Sequence, residues 1–312
     1  MWSDPDDRRT MWIRCRARDL LTEGDGRARV LGAARLDVRT GGNRVVEEIA
    51  ADPTHPGLGH LVGQRGGGGF RKQIDAAVPG ERDAGTLLFY LLDDVPAAAL
   101  IGAYVWSRFD AEGRPRADMP APPRNSTAVA PTAVAMENIC AGWRTDGTPM
   151  QLMTSGRPPI GPTPEAPDLT PPDDPLAWHE LGELPPASMR RRRRVDVAAA
   201  GGADVVIDAM FRDSCCTPDG VETAVHEYTM QATVDRDTAT ITSIHAEPRV
   251  LPFVECPAAA DNVGRLVGSP IAAFRTSVLA ALSGTDCCTH LNDALRSLAK
   301  VPLLADALPL SR

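Results

Sequence analysis

Cys288 and His290 are the two residues whose types and spacing most directly indicate chemistry. They lie within residues 287–291, which read CCTHL. We expect Thr289 to be the N-cap of a helix, which places Cys288 just before that helix and His290 in its first turn. A helix N-terminus lowers the pKa of a cysteine and favours the thiolate. Asp293 is three residues beyond His290 and is expected to orient the imidazole.

These three side chains predict a catalytic site that uses either an activated thiol or a histidine–aspartate acid/base pair. His245 and Glu247 are two residues apart, so they share one face of a predicted strand that could meet the Cys288 helix. The sequence therefore favours a small-molecule enzyme using proton-transfer or thiol chemistry, of the hydratase, isomerase or lyase type, on a largely apolar substrate. The candidate substrate-binding residues are Arg275, His245, Glu247 and Cys256.

Two other interpretations of the same residues remain open. Cys256, Cys288 and His290 together could bind zinc or an iron–sulfur cluster, since thiolates and imidazole suit those metals. The chain has no Cys-x-x-Cys pair, which argues against such a metal site. The enzyme hypothesis therefore involves no metal or cofactor. Alternatively the protein is structural or binds a partner, and the motif only caps a helix.

An internal repeat relates the two ends of the chain. Residues 266–268 read Leu-Val-Gly and are followed by Phe-Arg at 274–275, and the same elements occur at 61–63 and 70–71. Similarity in a fixed order indicates a duplicated domain. The repeat also suggests that Arg275 anchors the two domains through a salt bridge, as an alternative to substrate binding.

The first copy lacks the reactive residues. Residues 84–88 read AGTLL where the second copy reads CCTHL. We therefore expect the first copy to be degenerate, with Thr86 and Leu87 packed where Cys288 and His290 face a cavity.

Strands precede helices in both halves, which is typical of an α+β fold. We expect two homologous domains, each an antiparallel sheet with helices, that form a pseudo-dimer joined by a long proline-rich strap. The domains are residues 1–106 and 189–312, and the strap is residues 107–188, partly ordered around Trp143 and Trp178. The predicted strands are 11–21, 28–39, 44–51, 193–199, 204–212, 222–235 and 238–246. The predicted helices are 61–78, 86–104, 271–282 and 291–298, and the first of them is interrupted near its start by the glycines at 66–69.

Composition excludes several classes of protein. A net charge of −8 argues against a nucleic-acid binder. The most apolar stretch, 84–106, is interrupted by acidic residues and proline, so no membrane span is predicted. Without a secretion signal at the start, seven cysteines are expected as free thiols in the cytoplasm.

The expected partner is a small-molecule ligand, and a homo-oligomer is compatible with the sequence. The five arginines at 190–194 are expected just before a strand, solvated or paired with the acidic strap.

Residues 288–293, which read CTHLND, resemble the C-terminal motif of an uncharacterised bacterial family whose members carry Gly-Cys-Thr-His-Leu before a helix. The resemblance covers about the last 120 residues and includes the region from Val250 to Pro257. It departs from the family in having Cys287 where glycine is usual. The resemblance supports the domain boundary and implies no reaction.

Overall fold

The computed structural model describes residues 10–109, 136–200 and 204–309, and the backbone of Trp2–Ser3. Residues 110–135 of the predicted strap lie outside this description. The strands are β1 (Trp2–Ser3), β2 (Met11–Thr22), β3 (Ala28–Thr40), β4 (Val46–Asp52), β5 (Met189–Ala199), β6 (Asp204–Cys216), β7 (Glu222–Asp235) and β8 (Thr240–Val250). The helices are α1 (Phe70–Ala77), α2 (Leu87–Gly102), α3 (Tyr104–Arg108), α4 (Thr148–Thr154), α5 (Ala258–Asp261), α6 (Phe274–Ala281), α7 (Thr289–Ser297) and α8 (Val301–Asp306).

The strands form two separate antiparallel sheets, each packed with helices, so the α+β class is confirmed. The first sheet has the order β1-β2-β3-β4 and the second has the order β5-β6-β7-β8. Each strand pairs with its neighbour in the chain, as expected for alternating apolar and polar residues joined by short turns. We call the elements from β1 to α3 the first unit and those from β5 to α8 the second unit.

The Leu-Val-Gly turn has the same geometry in both units. Leu61 and Leu266 are fully buried, and the glycines that follow, Gly63 and Gly268, have φ of 82° and 83°. A positive φ of this size favours glycine over residues with a Cβ. The Gly63 amide donates to Val46 of β4 at 2.7 Å, and the Gly268 amide donates to Ile241 of β8 at 2.8 Å. In both units, this turn therefore holds the sheet against the helices in the same way.

The second long helix of each unit also buries matching positions. Leu88, Leu92 and Val95 of α2 are buried against the first sheet. Leu291 and Leu295 of α7, with Leu298 just beyond it, are buried against the second sheet. Spacings of three and four residues put each set on one helical face. The two helices therefore turn equivalent faces toward their sheets.

Ion pairs join the two units. Asp93 of α2 accepts from Arg71 at 3.0 Å, Arg275 at 2.5 Å and Arg296 at 3.4 Å, and its side chain is only 11% exposed. Asp94 also pairs with Arg193 of β5 at 2.7 Å. A small apolar cluster continues this contact, formed by Ile101, Val105, Phe109, Met189, Cys215 and Val225.

Two tryptophans between the units make specific contacts. Trp143 packs against the core of the second unit, with its ring 6.4 Å from that of Phe253. The indole N–H of Trp178 donates to the Leu169 carbonyl at 2.9 Å, and the Arg194 guanidinium lies over its ring. These contacts fix the described part of the segment, residues 136–188, to the second unit.

Two local predictions require correction. The interrupted helix predicted at 61–78 is helical only after its glycines, as α1, whereas Leu61 ends a 3-10 turn, Pro56–Leu61. The arginines at 190–194 lie inside β5, not before it. Their carboxylate partners come mainly from folded strands and helices, since Arg190 pairs with Glu222, and Arg191 with Asp213.

Candidate functional site

Asp213 and His226 lie opposite each other on neighbouring strands of the second sheet. Asp213 of β6 pairs in register with His226 of β7, and the register shifts immediately after Asp213. Such an irregularity re-aims the side chains beside it. The Asp213 carboxylate is fully buried and its Oδ2 lies 3.7 Å from Nδ1 of His226.

His290 completes a three-residue cluster with these two residues. It projects from the first turn of α7, and its imidazole stacks on that of His226 with ring centres 3.7 Å apart. One possible ligand atom from each of Asp213, His226 and His290 lies within 4.8 Å of the others. Among the residues that the structure describes, this is the one group of histidine, cysteine and carboxylate side chains that meets this condition for a metal ion.

Arg191 holds the carboxylate of this cluster. Its Nε and Nη2 donate to the two oxygens of Asp213 at 2.8 and 2.9 Å. Its Nη1 lies 3.6 Å from Asp293 and makes no hydrogen bond, although it is buried. The planar fork of arginine fixes a carboxylate in one orientation. The Asp213 carboxylate is therefore held in one orientation beside the two imidazoles.

Both imidazoles are neutral near neutral pH. Burial, assisted by the charge of Arg191, lowers the pKa of His290 to about 3. Burial and the neighbouring His290 also lower the pKa of His226 well below its usual value. The Nδ1 of His226 is buried and has no hydrogen-bond partner. A neutral imidazole with a free ring nitrogen is the form that binds metal ions or accepts a proton.

Cys288 is buried and its thiol is protonated. Cys288, not Thr289, is the N-cap of α7, and its side chain makes no capping hydrogen bond. Burial raises the pKa of Cys288 to about 11, which is opposite to the lowering expected from a helix N-terminus. Its Sγ lies 3.9 Å from Nδ1 of His290. The desolvation of the thiol therefore outweighs the favourable helix end.

The other thiol of the metal hypothesis, Cys256, lies near Cys288 and outside the three-residue cluster. Cys256 is buried in the turn after β8, near Cys140 and Cys288. The predicted metal set of Cys256, Cys288 and His290 does not form a group that meets the distance condition for a metal ion among the described residues. Only His290 belongs to the cluster that does. The buried Tyr228 hydroxyl lies beside Cys288 without a well-aligned hydrogen bond.

Asp293 and Arg275 bind charged partners at the contact between the units. Asp293 pairs with Arg71 at 3.0 Å and Arg296 at 3.2 Å, and it lies near Arg191. Arg275 pairs with Asp93 and covers the rings of Phe89 and Tyr90. The expected contact of Asp293 with His290 is replaced by these ion pairs, since charged guanidiniums attract the carboxylate more strongly than a neutral imidazole.

His245 and Glu247 lie away from the cluster. Both are exposed on β8, whereas Ala246 between them faces the core. Glu247 pairs with Arg249 at 2.7 Å. The expectation that this strand face meets the Cys288 helix therefore requires correction, because the helices cover the opposite face of the sheet.

The first unit has an open cleft at the corresponding place. Asp19 of β2 pairs in register with Gly32 of β3, again with a shift immediately after the aspartate. Gly32 thus stands where the second unit has His226, and Leu87 stands where it has His290. A cleft of about 470 Å³ is lined by Gly32, Gly85, Thr86 and Leu87. Leu87 packs against the core of the first unit and Thr86 caps α2, as expected, but both are only half-buried because one side of each faces this cleft.

Sequence reasoning missed Asp213, His226 and Arg191 as members of one site. Asp213 in the second unit corresponds to Asp19 in the first unit. An aspartate that occurs at the same position of both units suggests a structural role when only the sequence is considered. The informative difference is the partner across the strand pair, which is histidine in one unit and glycine in the other. That difference becomes visible only once the register of both sheets is known.

Comparison with known proteins gives one match. No curated protein and no solved structure matches the chain. A family model described as "Protein of unknown function (DUF2889)" matches residues 189–303. The matched range contains β5 to α7 and every residue of the cluster, whereas the first unit lies outside it. Residues 189–303 are therefore a DUF2889 domain, a family whose function is unknown.

Proposed function

We propose that the second unit binds one divalent transition-metal ion through Asp213, His226 and His290. The proposal rests on the convergence of three possible ligand atoms from β6, β7 and α7 within 4.8 Å. Two imidazoles and one carboxylate suit zinc or ferrous iron and leave further coordination positions open.

The charges around the cluster support this proposal. The imidazoles are neutral because burial lowers their pKa, so no proton competes with the metal at neutral pH. The free Nδ1 of buried His226 supplies an unused lone pair. Arg191 occupies one edge of the Asp213 carboxylate and orients it, as outer-shell partners of metal ligands do. The carboxylates of Asp213 and Asp293 offset the charge of Arg191.

The metal would serve a small-molecule enzyme of the hydratase, isomerase or lyase type. A bound divalent metal acidifies a water molecule or polarises a substrate carbonyl, which replaces the thiolate chemistry that burial of Cys288 disfavours. His290 retains partial solvent exposure, so substrate could approach the cluster from that side.

We further propose that the two units are duplicated copies forming a pseudo-dimer, with the metal ligands retained in one copy. The shared strand order, the matching Leu-Val-Gly turns and the register shift after each aspartate support common descent. Glycine and leucine at positions 32 and 87 leave the first unit without two of the three ligands.

A second candidate function is metal-free acid/base catalysis. It is favoured by the 3.9 Å separation of Cys288 Sγ and His290 Nδ1, which places the thiol within hydrogen-bonding reach of the imidazole. In the non-catalytic interpretation the motif only supports the fold, and His290→Ala is then expected to lower the melting temperature.

Metal analysis of protein purified without chelators tests the proposal. We expect about one zinc or iron per chain, and a rise in melting temperature when Zn²⁺ or anaerobic Fe²⁺ is added to chelator-treated protein. His226→Ala, His290→Ala and Asp213→Asn should each remove this metal. His245→Ala is the matched control, because His245 is exposed on the same sheet, and it should retain the metal.

Circular dichroism shows whether each variant is folded, and so distinguishes loss of the metal from loss of the folded structure. Folded wild-type protein that contains no stoichiometric metal and does not respond to either ion would overturn the metal proposal. Metal content that survives in all three cluster variants would place the ion elsewhere.

A further inference from the structure

The cleft of the first unit is built from side chains of both units. Its walls come from β2, β3 and the start of α2, and Lys300 and Leu303 reach it from the second unit. Its volume of about 470 Å³ is in the range of small-molecule sites. It occupies the place that the imidazoles and the thiol fill in the second unit.

Two glycines keep the cleft open. A Cβ at Gly32 would lie 3.6 Å from Leu87 and project toward the cleft. A Cβ at Gly85 would collide with Leu303, and Gly85 has a φ of 58°, which favours glycine. The space therefore depends on the absence of side chains at both positions.

Charged groups of both signs line this space. Lys300 donates to the Gly85 carbonyl at 3.0 Å and pairs with Asp19 at 2.9 Å. Glu81 accepts from the Thr86 hydroxyl at 2.5 Å beside the start of α2. The lining therefore contains two carboxylates, Asp19 and Glu81, and the ammonium of Lys300.

A local hydrogen bond orients the His55 side chain at the edge of the cleft. Its Nδ1 accepts from the Gly57 amide at 3.0 Å. The remaining walls are apolar and include Leu87, Leu88 and Leu303. The cleft thus offers positive and negative groups beside an aliphatic surface.

We infer that this cleft binds a small zwitterion with an aliphatic side chain, of the free α-amino-acid type. The ligand carboxylate pairs with Lys300, and the ligand ammonium pairs with Asp19 and Glu81. The aliphatic group packs on Leu87, Leu88 and Leu303. A plain anion is disfavoured by the two carboxylates, and a plain amine leaves Lys300 without a ligand partner.

The inference goes beyond the proposed function, because no member of the metal cluster lines this cleft. The test uses isothermal titration of the full chain with three probes of similar shape: L-leucine, 3-methylbutylamine and 4-methylpentanoate. We expect L-leucine to bind and the two singly charged probes to bind at least about tenfold more weakly, since each loses one charged contact.

Gly32→Leu tests the location of the site. Its side chain fills the cleft without demanding an unusual backbone conformation, so we expect a folded protein with no L-leucine binding. Gly24→Leu is the matched control in the β2–β3 turn, where an added Cβ meets nothing within 4 Å, and it should bind like the wild type. Lys300→Gln should weaken L-leucine binding at least about tenfold.

Three outcomes would overturn the inference. One is the absence of L-leucine binding by the wild type. Another is equal binding of all three probes, which would show that the charged groups of the ligand do not contribute to recognition. The third is unchanged binding by folded Gly32→Leu protein, which would place the ligand elsewhere. Metal content measured on the same samples reports separately on the second unit.

Discussion

Arg71 of the first unit forms an ion pair of 3.0 Å with Asp293 of the second unit. Asp293 lies on α7, the helix that carries His290, so the first unit helps to fix the position of the candidate metal ligand. Arg275 makes the reciprocal contact, since it crosses from α6 to Asp93 of α2. The arginine that follows the repeated phenylalanine therefore reaches the opposite unit in both halves.

Asp93→Asn should destabilise the protein by about 3 kcal/mol. The buried carboxylate faces three guanidiniums, and its removal leaves their charges uncompensated. Chemical denaturation measures the loss. Asp25→Asn is the control, because Asp25 forms an exposed pair with Arg27 and should leave stability unchanged. Equal stability of both variants would contradict a structural role for the network.

The same carboxylate should make stability sensitive to acid. Burial alone would raise the pKa of Asp93, but Arg275, Arg71 and Arg296 outweigh it and lower the pKa from its usual 3.8. A lowered pKa in the folded state stabilises above the unfolded value, and this contribution is lost as pH falls through the folded value. The stability difference between wild type and Asp93→Asn should therefore be constant from about pH 8 to 5 and shrink below about pH 4. A difference that grows in acid would contradict the assignment.

The cysteines should react slowly with alkylating reagents in the native protein. Burial raises the pKa of all seven thiols, which belong to Cys15, Cys140, Cys215, Cys216, Cys256, Cys287 and Cys288. The reactive thiolate form is therefore scarce near pH 7.5. Peptide mapping by mass spectrometry measures labelling at each site, and denatured protein provides the fast reference. Fast labelling of native Cys288 would instead favour the activated-thiol mechanism.

Trp143→Ala should destabilise the second unit by about 2 kcal/mol, because the indole packs against its core beside Phe253. Trp178→Ala should cost less, since that ring mainly stacks on an arginine. Thermal unfolding compares the two variants, and limited proteolysis shows whether residues 136–188 become easier to cut. Unchanged protection in both variants would show that the tryptophans do not hold this segment.

Local sequence patterns were enough to predict the class of fold and much of the secondary structure. β7 runs from Glu222 to Asp235 as predicted, because alternation of apolar and polar residues is a local property. The Leu-Val-Gly repeat correctly marked equivalent turns, since the glycine is required by a positive φ at Gly63 and Gly268. The sequence also singled out His290, through its place beside a cysteine at a helix start, and its functional role stays a prediction.

Only the packed structure shows which polar groups meet and how burial changes the ionisation of the thiols. Asp213, His226 and His290 come from three separate elements, and only sheet register and helix docking bring them within 4.8 Å. The helix end predicted a thiolate at Cys288, but burial reverses the direction of its pKa shift. The cleft appears in the unit that lacks the two histidines of the cluster, because open space depends on side chains that are missing from several elements at once. Local patterns specify elements, whereas charge, burial and empty space depend on the whole packed chain.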